Sequence, residues 1–139
     1  QSLHSTLAYV ALAVLLLAVI NAISGLSNKK LFAAKDLRLS LFALIFSHIQ
    51  LLIGFILYFV SEKGFKAFAI EGAMKNAELR LTMLEHPLIN LIAIALITIG
   101  WSKHKKQESQ NGKFKKIAVF YSLGLILILS RIPWASWLA

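Results

Sequence analysis

Four apolar runs of about 20 residues, each closed by charged residues, constrain this chain more than any other feature in it. The first extends from Leu3 to Leu26 and stops at Lys29-Lys30; the second from Leu39 to Val60; the third from about Leu84 to Trp101; the fourth from Ile117 to Leu138, with only Arg131 charged inside it. At about 1.5 Å per helical residue, some 20 residues cross a hydrocarbon core of about 30 Å. The pattern predicts one domain over residues 1–139, with membrane spans at about 3–26, 39–60, 84–102 and 117–138. A backbone in lipid must pair its own N–H and C=O groups, so the expected fold is an all-α, four-transmembrane-helix bundle. The first run has no basic residue before it, and its positive charges follow it, so it reads as a retained helix rather than a cleavable signal peptide.

With 58% hydrophobic and 15% charged residues, the composition excludes an ordinary soluble globule. A net charge of +9 would invite a nucleic-acid reading in a soluble protein. Here the bases are loop charges that report orientation, and no nucleic-acid partner is expected. Lys29, Lys30, Lys35 and Arg38 face one acid, Asp36, in the first connection; Lys103, Lys105, Lys106, Lys113, Lys115 and Lys116 face Glu108 in the third. Both connections are therefore expected in the cytoplasm. The middle connection, Ser61 to Met83, balances its bases with Glu62, Glu71 and Glu78 and belongs outside with both termini, giving an N-out, C-out topology. Within it, Met74, Ala77, Leu81 and Leu84 recur at helical spacing and predict a short interfacial helix. Pro87 marks a helix start or kink. Residues 103–116 read as a mobile polar turn, with His104 solvated among its lysines. The place this describes is a membrane, which the chain crosses several times.

Membrane helices pack through small and polar residues, because lipid competes fully for large apolar ones. One stripe of such residues appears on each run: His4, Ala8, Ala11, Ala18, Ala22 and Gly25; Ser40, Ala43, Ser47, Gln50, Gly54 and Ser61; His86, Asn90, Ala93 and Gly100; Tyr121, Gly124, Arg131 and Ala135. Asn21, Gln50 and Asn90 are read as interhelical hydrogen-bonding groups. Trp101, Trp134 and Trp137 fall at run ends, as interfacial anchors do.

Ionisable residues at membrane depth are costly and direct attention to function. His4, His48, Glu85, His86 and Arg131 qualify. Counted at about 1.5 Å per residue from the nearest inner base, His48 lies at roughly 15 Å, Arg131 at roughly 22 Å and His86 at roughly 25 Å, with His4 near the outer surface. Glu85 and Arg131 at one level are expected to pair. The chain has no Cys, which excludes thiol catalysis and Cys-based metal sites. Hydrolysis lacks a nucleophile and base, so a carrier or subunit is expected rather than a stand-alone enzyme. Three histidines on successive helices suit axial ligation of haem iron, with Arg131 beside a propionate. His48, off its stripe, points to a covering protein.

His4-Ser5, the run Leu39 to Gln50 with Gly54 and Tyr58, Glu85-His86 and the closing Arg131-Ile132-Pro133-Trp134 together resemble short bacterial four-helix membrane proteins labelled cytochrome b-like. The resemblance covers nearly the whole chain. It implies a membrane electron carrier with one non-covalent haem b, whose candidate iron ligands are His86, His48 and His4, at most two of them used. The alternative is a cofactor-free accessory subunit of a larger, respiratory-type membrane complex, or a homo-oligomer, in the lipid bilayer.

Overall fold

The computed structural model describes residues 2–134, and among these every regular element is helical. Four long helices dominate: α1, Ser2–Ser27; α2, Ala34–Val60; α4, His86–Lys105; and α5, Gln110–Ser130. A short α3, Ala77–Arg80, leads through a π-helical turn at Leu81–Glu85 into α4. Three helical segments are long and apolar enough to cross a membrane, Leu3–Ser27, Ala34–Ala69 and Ala77–Lys105. The chain is in this sense an integral membrane protein built as a helix bundle. Neighbours in the ring are α1 and α2, α2 and α4, α4 and α5, and α5 and α1, so the bundle closes on itself. The connections 28–33 and 106–109 share one end, hereafter the lysine end; residues 61–85 cover the other, the histidine end.

Several boundaries differ from those the sequence predicts, each for a local reason. The second helix starts at Ala34, not Leu39, because Asp36 stabilises its first turn by accepting a hydrogen bond from the Ala33 N–H at 2.8 Å. Asp36 is consequently buried, at 4% exposure, and is no loop charge. The third connection is not a long mobile turn: Ser109 Oγ accepts from Gly112 N at 2.9 Å and starts α5 at Gln110. His104 is likewise not solvated. It is 1% exposed, with its ring against Phe32 and Trp101 at centroid distances of 5.3 and 4.6 Å.

At its far end α5 stops at Ser130, two residues before Ile132, whose helical conformation Pro133 disfavours. Arg131 therefore lies beyond the helix and is exposed. The expected stripe member Ala135 and the anchor Trp137 lie outside the described residues. In the middle connection, 3-10 turns at Phe65–Ala69 and Ala73–Lys75 precede α3, which lies where the short interfacial helix is expected but runs on into α4 instead of standing apart, and Met83 is fully buried.

Pro87 explains the π-helical turn. It has no N–H to give the carbonyl four residues back, and its ring crowds that turn. The carbonyl left over, that of Met83, accepts from the Tyr58 hydroxyl at 2.7 Å, which ties α2 to the start of α4.

The core lies toward the lysine end, where Leu15, Ala18, Ala22, Ala43, Ile97, Phe114, Ile117 and Tyr121 are buried together. Helices approach closely there. A Cβ on Gly124 would stand 2.7 Å from Ile97 Cγ1 and 3.0 Å from the Ala93 carbonyl oxygen, and one on Gly25 would collide with the Phe114 ring. The polar groups among these residues are joined in a chain: Asn21 Nδ2 donates to Asp36 Oδ1 at 2.8 Å, Ser40 Oγ to the Asp36 carbonyl at 2.9 Å, and Tyr121 OH to the Ser40 carbonyl at 2.8 Å. The Asp36 carboxylate thus ties α1 to α2, and the Ser40 carbonyl ties α5 to α2.

Candidate functional site

The functional candidates gather at the histidine end, where the four long helices each contribute. His4 of α1 meets Gln50 of α2: Gln50 Nε2 donates to His4 Nδ1 at 2.8 Å and to the His4 carbonyl at 2.9 Å. Gly54 makes room for the ring, since a Cβ there would lie 3.4 Å from His4 Cε1. Residue counting from Lys29 places His4 near the outer surface, well away from Gln50. The contact exists because the two helices are levelled by the Asn21–Asp36 bond instead. From that bond, His4 is about 25 Å along α1 and Gln50 about 21 Å along α2 at about 1.5 Å per residue.

His86 opens α4 beside the end of α5. Its Nδ1–H donates to the Arg131 carbonyl at 2.9 Å, and its Nε2 accepts from Asn90 Nδ2 at 3.2 Å. Glu85 carries the expected pair with Arg131, Nε to Oε1 at 3.6 Å, and a shorter one with Arg80, Nε to Oε2 at 2.9 Å. Arg80 escapes notice in the sequence because it falls in a mixed-charge connection; only the helical turn from Ala77 onward brings it back to Glu85. These side chains are a third to a half exposed, so the pairs orient Arg131 more than they stabilise the fold.

His48 is apart from this cluster. It is exposed on the α2 face beside α4, its Nδ1–H donating to the Leu44 carbonyl at 2.8 Å and its Nε2 lying 3.3 Å from Thr98 Oγ1. Thr98 is exposed as well, so two polar side chains share one outward-facing lip between α2 and α4. The structure thus joins His86 to Arg131 and His4 to Gln50 at one end of the bundle and leaves His48 outside.

For a haem gripped by two axial histidines, these residues do not fit as they stand. The nitrogen of His86 left free of a proton faces the Asn90 amide, His4 Nδ1 faces Gln50, and His48 points to a different helix pair. Among the described residues no group of three or more His, Asp or Glu side chains could hold a metal ion. Two surface concavities lie elsewhere: one of about 390 Å³ under Phe68–Lys75, and one of about 300 Å³ between Lys29–Leu31 and Gln110–Asn111. Comparison with family models, with curated proteins and with solved structures finds no match for this chain.

Proposed function

We propose that the chain is a four-span, N-out, C-out protein of a bacterial inner membrane and serves as a cofactor-free accessory subunit of a larger membrane assembly. The orientation rests on the two lysine-rich connections, which face the cytoplasm in this reading. The fourth span is the apolar part of α5 from Ile117 onward, continued by the apolar sequence toward Leu138. A Cys at Ser109 should then resist impermeant thiol reagents in intact cells, while one at Ala69 should label.

The observation that carries the subunit reading is the exposed lip formed by His48 and Thr98. An imidazole and a hydroxyl facing hydrocarbon are costly even when each is bonded to its own helix, His48 to the Leu44 carbonyl and Thr98 to the Ile94 carbonyl at 2.7 Å, so a protein surface belongs over them. The other two histidines hold helices together, through Gln50 for His4 and through the Arg131 carbonyl for His86. A photoreactive residue at position 44 or 55 in native membranes should capture protein. Capture of lipid alone from both positions would remove the subunit reading.

A second reading keeps the cytochrome b-like electron carrier, and His86 favours it. A ring whose Nδ1–H is fixed on a backbone carbonyl presents Nε2 as a ligand in a defined orientation, as metal-bound histidines do. His86 with His4 would hold the haem b, which would supply one-electron chemistry, and Arg131 would face a propionate; Asn90 and Gln50 would both have to turn aside from the rings. A Soret band in protein purified from haem-replete cells, lost in His86→Ala, would favour this reading over the first.

A further inference from the structure

In the connection at the histidine end, small apolar residues face in and large ones face out. Ala67 and Ala73 are buried together with Met83, at 0% and 4% exposure, whereas Phe65, Phe68, Ile70 and Met74 are each about half exposed. A loop in water does the reverse, because burying the large side chains removes the most apolar surface. The long helices of this protein show the same inversion: Ala18, Ala22 and Ala43 are buried while Leu17, Ile20 and Leu52 are exposed, as a lipid surrounding requires. Length points the same way. The apolar stretch through α2 continues to Ala69, 36 residues in all. Wholly helical, it would measure about 54 Å against a hydrocarbon core of about 30 Å, so it cannot all lie across the bilayer. The chain folds back at Gly64, where a Cβ would collide with the Tyr58 carbonyl. This turn sets the Phe65 ring on Phe59 of α2 at a centroid distance of 5.4 Å, with the Phe68 ring 6.2 Å from that of Phe65. Phe59 is about 16 Å along α2 from His48, so these rings stand clear of the lip that His48 forms with Thr98.

We propose that residues 65–74 are a membrane-surface anchor, in which Phe65, Phe68, Ile70 and Met74 insert at the boundary between the headgroups and acyl chains of the bilayer. Side chains of such a surface segment reach about 5–10 Å into that boundary. The backbone stays at headgroup level, and Ala69 remains within reach of reagents in the water. Glu62, Lys63, Glu71 and Lys75 are exposed around the inserted residues and keep the segment from sinking further, the Lys stems lying along apolar surface with their charges at the headgroups. Glu62 and Glu71 nearly balance Lys63, Lys66 and Lys75, so apolar insertion rather than attraction to acidic lipid drives the contact. Because Ala67 and Ala73 share a buried cluster with Met83, just ahead of α4, the anchor holds the start of α4, and with it Glu85 and His86, at the membrane surface. The anchor rests on the chain spanning a membrane and not on the subunit reading.

The chain has no Cys, so nitroxide labels can be placed one at a time in the full chain reconstituted in phosphatidylcholine bilayers. Labels at positions 68, 70 and 74 should collide more with oxygen than with a water-soluble nickel chelate, and labels at positions 63 and 71 more with the chelate. A label at Leu17, exposed on α1, supplies the hydrocarbon reference and separates a failure of the anchor from a failure of the chain to span. An excess of chelate collisions at 68 and 70 would put the connection in water and overturn the proposal. Access by neither probe would put a second copy over it, with the same result. In the Phe68→Ser, Ile70→Ser double variant the label at position 74 should shift from oxygen toward the chelate. The single-label series decides even if that double variant fails to fold.

Discussion

The two ends of the bundle use polar residues in opposite ways. At the lysine end one carboxylate, Asp36, is almost fully buried, yet both its oxygens accept hydrogen bonds, from Asn21 and the Ala33 N–H, amid tightly packed apolar side chains. At the histidine end the polar groups are more numerous and less buried, and two acceptors are left over. A completed network in a close-packed region rigidifies the fold, whereas an unpaired buried polar group costs stability. The lysine end thus closes its polar network within the fold, and the histidine end does not.

Substitutions should reproduce that division. Asp36→Ala is expected to be the most damaging, at about 3 kcal/mol, because it removes hydrogen bonds to a carboxylate and leaves buried donors unpaired. Chemical denaturation in detergent micelles measures this, and Asp36→Asn, which keeps one acceptor, should recover part of the loss. Gly124→Ala should cost about 2 kcal/mol by overpacking against Ile97 and the Ala93 carbonyl. A loss under about 0.5 kcal/mol would mean that α4 and α5 separate easily, and the contrast between the ends would weaken.

At the histidine end the effects should be smaller. Tyr58→Phe should cost about 1 kcal/mol in a wild-type background, the usual worth of a hydrogen bond. It should cost clearly less in Pro87→Ala, where a restored N–H can serve the Met83 carbonyl, so a double-mutant cycle isolates the link between proline and tyrosine. His48→Leu should change the stability of the isolated chain by less than about 0.5 kcal/mol, as exposed positions usually do. The same change should weaken association with whatever protein covers the lip, which crosslinking yield in native membranes reports.

The packing stripes are the part of the site most legible in the sequence. Ala11, Ala18, Ala22, Ser40, Ala43, Ser47, Ala93, Gly100, Tyr121 and Gly124 are all buried, and His48, read as lying off its stripe, is exposed. Helical periodicity determines which residues share a face, and membrane helices pack on their small and polar faces, so this much follows from spacing alone. Asn21, Gln50 and Asn90 were equally readable as hydrogen-bonding residues, but their partners were not.

Residue order alone established the apolar helices, their faces and the Glu85–Arg131 pairing. Only the tertiary structure decided which levels meet. Counting from Lys29 places His4 near the outer surface, because it assumes that every helix enters the membrane at its last charge. Asp36 breaks that assumption: it draws the start of α2 inward against Asn21 and shifts the register of α1 against α2, so that His4 and Gln50 come together. His104 and Arg131 show the same limit in opposite directions. A histidine among lysines is buried because Phe32 and Trp101 close around it, and an arginine within an apolar run is exposed because the helix ends before Pro133. Periodicity is a property of one helix, and burial and level are relations between helices, which the chain specifies only when it is folded.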